Sequence, residues 1–226
     1  MNERMMMTEK ITSNQENRIV DLVRDAVRVM SLSKAEAQQI IMAGGILQDR
    51  IKPIFQKLAM VDHRFGPAMK DFLFTVPSDY KHDTQLDDFS IRTKLLKTTY
   101  YFNDNLNSKN FAEATKRLTP GKIYRVQVIP ILSKVSSEDC ITFLKKKGVI
   151  LVGAQGLTLL QSKLPKEFPV GKLTVSFDEK DALPFLDGFH GVPYVHASSG
   201  GGFGFSLGDF GNPWFEDVCL LCFCEV

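Results

Sequence analysis

Residues 149–164 constrain the fold of this chain more than any other segment. Val149, Ile150, Leu151 and Val152 form an unbroken apolar run that stops at Gly153 and gives way to the helix formers of Ala154 to Lys163. A strand buried on both faces and feeding a helix has this signature. It predicts the middle strand of a sheet over Val149 to Gly153 and a helix around Leu157.

The flanking segments continue the pattern. Tyr124, Val126 and Val128 alternate with Ile123, Arg125 and Gln127, which predicts a strand with Pro130 near its end. Ser136 opens a helix with Glu138 and Asp139 at its start and three lysines before Gly148, the charge order that the helix dipole favours. With another strand over Lys172 to Phe177, the order becomes strand, helix, strand, helix, strand. That order predicts two overlapping βαβ units with parallel neighbours. Val192 to Ala197, Phe203 to Leu207 and Val218 to Val226 add short strands divided by glycine turns, so the sheet should be mixed.

Ahead of this part, Ser13 with Glu16 and Ser33 with Glu36 fit capping boxes, each followed by apolar residues at helical spacing. A third apolar-periodic segment, Ile46 to Leu58, is interrupted by Pro53. The expectation is an α+β protein, with a helical region over 1–65 packed on or beside a mixed-sheet domain over 66–226, or continuous with it. Phe72, Phe74 and Val76 suggest a short strand, 77–90 a surface loop, 91–102 either a helix or a strand, and Asn107 to Leu118 a helix stopped at Pro120-Gly121.

Composition narrows the function classes. A net charge of +2 over 226 residues provides no electrostatic footprint for nucleic acid, so binding through the N-terminal helices is the least favoured reading. No apolar run approaches the roughly 20 residues of a membrane span, and the first residues lack the apolar core of a signal peptide. Three of the four cysteines crowd into the last eight residues, unlike the spaced framework of a secreted domain. A soluble cytoplasmic protein without a membrane partner is expected.

Several constellations could carry chemistry. Gly153, Gln155 and Gly156 stand between a strand and a helix start, where backbone N–H groups attract anions, and Asp178 ends the next strand, where a ribose-binding acid could stand. The dinucleotide fingerprint needs a third glycine and the phosphate loop needs Gly-Lys-Ser/Thr; both are absent. His82, Asp83, Asp87 and Asp88 read as solvated loop residues rather than metal ligands. Asp187, His190 and His196 would need a turn to converge as acid, base or metal ligands. Ser198 to Gly204 offers hydroxyls and flexible backbone to an anion, though a hairpin loop explains it as well. Alternation puts Cys222 and Cys224 with Leu220 on one strand face and Cys219 with Leu221 and Phe223 on the other, which favours core packing over a zinc site.

Gly148 to Leu157, Ser176 to Lys180, His190 to Pro193, Asp209 to Gly211, Cys219 to Val226, Asn110 to Ala114 and Pro120 to Val126 together resemble a family of uncharacterised bacterial proteins from very small genomes. The resemblance spans roughly residues 100–226. It implies one folding unit there, and it assigns no activity, cofactor or site residue. The functional expectation is a non-enzymatic binding or protein-interaction module, with no cofactor and with a protein or a phosphate-containing small molecule as its partner. The alternative is an enzyme or sensor that holds a nucleotide or phosphate at Gly153 to Gly156 with Asp178 nearby.

Overall fold

Val218-Cys-Leu-Leu-Cys-Phe223 is buried at every position, as a strand covered on both faces must be. A computed structural model describes residues 62–96, 99–113, 116–186 and 188–226, together with Asp21, Ser33 and Glu36. The chain divides into two compact units, Met1–Val61 and Asp62–Val226. In the first, Ser33 and Glu36 make the reciprocal bonds of a capping box, Ser33 N–H to Glu36 Oε2 at 2.8 Å and Glu36 N–H to Ser33 Oγ at 3.3 Å. The rest of the expected helical region lies outside the described residues.

The second unit is a mixed sheet with helices, an α+β fold. Its strands are β1 (Lys70–Thr75), β2 (Thr99–Phe102), β3 (Ile123–Pro130), β4 (Val149–Ile150), β5 (Leu173–Val175), β6 (Phe185–Leu186), β7 (Phe189–Ala197), β8 (Phe203–Asp209) and β9 (Val218–Glu225). Its helices are α1 (Gln85–Leu96), α2 (Ser137–Lys146) and α3 (Gly153–Lys163). The sheet runs β1-β3-β9-β5-β7-β8-β2, with β4 added beside β9 and β6 beside β7.

The expected middle strand at Val149 to Gly153 is corrected. β4 is two residues long, and α3 begins at Gly153 itself, so the apolar run goes into the helix start rather than into a ladder. The strand covered on both faces is instead β9, third of the seven, which pairs antiparallel with β3 along one edge. Its other edge is shared, parallel with β5 at Val218 to Leu220 and antiparallel with β4 at Phe223 and Cys224. The two βαβ units fall with that correction. β3 and β4 are parallel to each other but flank β9, while β4 and β5 run in opposite directions along the same edge of it.

Pairing register fixes the faces. Phe74, Tyr124, Val126, Leu221, Phe223 and Phe205 share one face, and the Phe89 ring of α1 meets Phe205 there at 4.9 Å. α3 packs on α1 and on β7. α2 covers the opposite face, where Trp214 lies over Gly208 and donates from Nε1 to Ser137 Oγ at 2.8 Å. α2 starts with a capping box between Ser136 and Asp139 and ends at Gly148, whose φ of +69° suits the left-handed turn.

Two further segments depart from expectation. The polar stretch 77–90 is not all loop, because α1 begins at Gln85 with Asp87 and Asp88 in its first turn. Asn107 to Glu113 forms successive turns instead of a helix. Asn107 Nδ2 donates to Asp104 O, Asn107 Oδ1 accepts from Asn110 N–H, and Asn110 Nδ2 donates to Asn105 O. These local bonds compete with the helical ladder for backbone groups.

Candidate binding cleft

α3 reads Gly-Ala-Gln-Gly-Leu-Thr-Leu-Leu-Gln from Gly153, with no charged face, and every residue through Gln161 is buried. The helix is held between the sheet and an outer layer. Gln155 Nε2 donates to Phe111 O at 2.8 Å, and Gln85 Nε2 of α1 donates to Thr158 Oγ1 at 3.4 Å. α3 stops where Leu164 precedes Pro165, since a residue before proline is pushed out of the helical region. The short turn Pro165–Glu167 then drops Phe168 into the core, edge-on to Phe203 with 6.4 Å between centroids.

The β7–β8 hairpin closes the third side. Ser198 N–H bonds Gly202 O at 2.9 Å, Ser198 Oγ accepts from Gly200 N–H at 3.1 Å, and Gly201 holds a φ of +82° that a side chain would resist. The glycine-rich segment is therefore a hairpin loop.

Between α1, the end of α3 and this hairpin lies a cleft of about 570 Å³. That volume lies within the usual range for small-molecule sites. Phe89, Phe168, Val170, Ala197 and Phe203 supply its apolar walls. Arg92, Gln161 and Lys166 are the polar side chains of interest, and no acidic residue lines it. From Asp62 onward the chain has four arginines. Arg64 pairs with Asp62 and Asp139, Arg117 with Asp83, and Arg125 with Asp71. Arg92 has no carboxylate among the described residues. Gln161 is 7% exposed, and no described residue hydrogen-bonds its amide.

The residues expected to bind phosphate lie elsewhere. Gly153, Gln155 and Gly156 are buried, and so is Asp178. The structure does bring Gly153 and Asp178 together: a Cβ on Gly153 would stand 3.2 Å from Asp178 Oδ2. A carboxylate thus already occupies the space at the first residue of α3, the electropositive end of the helix. Its other oxygen accepts from Glu179 N–H at 2.8 Å. Gly156 is required for packing, since a Cβ there would sit 2.2 Å from Val152 Cγ2.

The remaining candidates have structural partners. Asp83 pairs with Arg117, Asp87 accepts from Ser108 N–H, and Asp88 accepts from Thr84 Oγ1. His82 Nδ1 lies 3.0 Å from the Tyr80 hydroxyl. His190 and His196 occupy opposite ends of β7, roughly 20 Å apart at strand rise, with His190 Nδ1 near Leu183 O and His196 Nδ1 near the Tyr100 hydroxyl. Asp187 lies outside the described residues. Cys219, Cys222 and Cys224 alternate across β9 as expected, and Cys140 faces the core from α2. All four thiols are free, and burial pushes each above its ordinary range, Cys140 to about 12. Among the described residues no three His, Cys, Asp or Glu side chains converge as metal ligands would, and no helix is long and apolar enough to cross a membrane.

The cleft residues come from three separated segments, and none belongs to a motif. The signals present in the sequence were the Ser198 to Gly204 loop and the apolar neighbours of Arg92. Compared with known proteins, the chain matches no family model, no curated protein and no solved structure.

Proposed function

We propose that residues 62–226 form a non-enzymatic binding module that takes a small ligand into the cleft between α1, the end of α3 and the β7–β8 hairpin. One observation carries this reading. The phenyl-walled cleft is lined by Gln161, a residue 7% exposed whose amide is open to the cleft and is hydrogen-bonded by no described residue. A side chain held in place by burial, with its hydrogen-bonding atoms free at a mostly apolar cleft wall, is suited to contact a ligand. Nucleotide or phosphate binding at Gly153 to Gly156 is the weaker reading, because those residues are packed and Asp178 stands where the anion would.

The test uses a neutral apolar dye, N-phenyl-1-naphthylamine, with the full chain. It should bind saturably, one per chain. Ser162→Trp, which fills the cleft from its rim, should abolish binding without lowering the melting temperature by more than a few degrees. Equal dye binding by a folded Ser162→Trp protein would refute the assignment.

A further inference from the structure

We infer that the cleft's ligand is an amphipathic acid, an apolar chain or aryl body ending in one carboxylate or phosphate group. This rests on the binding-module reading of the cleft and adds the class of ligand.

The lining of the cleft divides into carbon and positive charge. Phe89, Phe168 and Phe203 present rings to the interior, with Ala197 and Val170 beside them, so most of a ligand's surface would leave water against carbon. The side chains that carry formal charge are Arg92 and Lys166, both cations. A neutral ligand would leave them unused, and a cationic one would be repelled.

Neither cation has a carboxylate partner among the described residues, although their neighbours do. Arg64, Arg117 and Arg125 each engage a carboxylate within 3.1 Å, whereas Arg92 engages none among the described residues. Lys166 sits next to Glu167, yet Glu167 is turned away to Lys70 at 3.2 Å. Glu167 is thus taken by Lys70, and no described carboxylate pairs with either cation, which leaves a positive rim over an apolar floor. A guanidinium grips a carboxylate or a phosphate through paired N–H donors, so this rim suits either head group.

Gln161, 7% exposed, adds an amide that no described residue meets. It provides both a donor and an acceptor at the wall of the cleft, beyond what hydrocarbon binding requires. An acidic head would satisfy its N–H₂ group, and a phosphate monoester could also donate back to its oxygen.

The experiment is calorimetric titration of the full chain with octanoate, octyl phosphate, octanol and octylammonium, all below their micellar concentrations. One acid or both should bind one per chain and tighter than octanol, with octylammonium weakest; the ratio of the two acids identifies the head group. Hexanoate should bind about fourfold weaker per methylene removed than octanoate. Replacing both cations, R92Q with K166Q, should bring octanoate down to the affinity of octanol, a loss of about fivefold for each exposed pair. Gln161→Leu should weaken the acids and leave octanol unchanged or tighter. Octanol binding as tightly as octanoate, with R92Q/K166Q indifferent, would overturn the acid inference and leave the cleft reading standing. Failure of all four compounds to bind the folded wild type would overturn both.

Discussion

Gln161 is 7% exposed and its amide, open only to the cleft, has no described partner, so the side chain gives up part of its hydration without a hydrogen bond in return. Leucine has nearly the same volume and no polar atoms. Gln161→Leu should therefore raise the unfolding free energy of the unliganded protein by about 1 kcal/mol in urea titration, while weakening acid binding. A loss of stability instead would mean that the amide is a structural element rather than a ligand contact. His82 makes a second residue-scale prediction. Burial, then the nearby Arg117 guanidinium, holds its imidazole below the ordinary value of 6.5, against a smaller opposing pull from Asp83. A base whose folded pKa is depressed is neutral in the native state and takes up a proton more readily when unfolded. Its contribution is complete above about pH 6.5 and is lost as pH falls toward the folded value. Stability measured in urea at pH 5.5 should be lower than at pH 7.5, and His82→Gln should flatten that slope; an unchanged slope would assign it to other groups.

At the scale of elements, α3 is the piece whose packing is least tolerant. Its Gly156 faces Val152 one turn earlier, with 2.2 Å between a would-be Cβ and Val152 Cγ2. Overpacking of this kind typically costs about 1–3 kcal/mol, so Gly156→Ala should destabilise by that amount. Adding Val152→Ala should recover part of the loss, and strict additivity of the two changes would show that the close approach is not the cause. The elements also show what a sequence exposes. β3, β5, β7, β8, β9 and α2 were legible because an alternating or unbroken apolar run, or a capping box, was complete within each. α1 was not, because its buried stripe of Leu86, Phe89 and Thr93 includes a polar residue, while Ile91 and Leu95 on its outer side are 60% and 77% exposed. The apolar residues of α1 thus mark two faces, and the 3.6-residue period blurs. Asn107 to Glu113 failed for a different reason, since asparagine side chains took the local backbone bonds that a helix would have used. β4 failed because an apolar run does not say whether its partners lie in a ladder or around a helix.

For the unit as a whole, the strand buried on both faces and paired along both edges is β9. β9 gains its position by pairing with β3, β4 and β5, three strands that precede it by many residues, so it was recognisable as a strand but not as one paired along both edges. The cleft was hidden by the same distance. Arg92, Gln161 and Phe203 belong to separate segments and meet only because α1 lies on α3 and the β7–β8 hairpin folds over the end of both. The strand-to-helix junction at Gly153, conspicuous in sequence, became interior packing against Asp178. A ligand held by this unit would therefore sit in the cleft and not at that junction. The most direct test is to follow backbone amide shifts of isotopically labelled protein through a titration with octanoate. Saturable changes should concentrate at Phe89 to Thr93, Gln161 to Phe168 and Ala197 to Phe203. Changes centred on Gly153 to Gly156 and Asp178, or a spectrum that does not move, would contradict it.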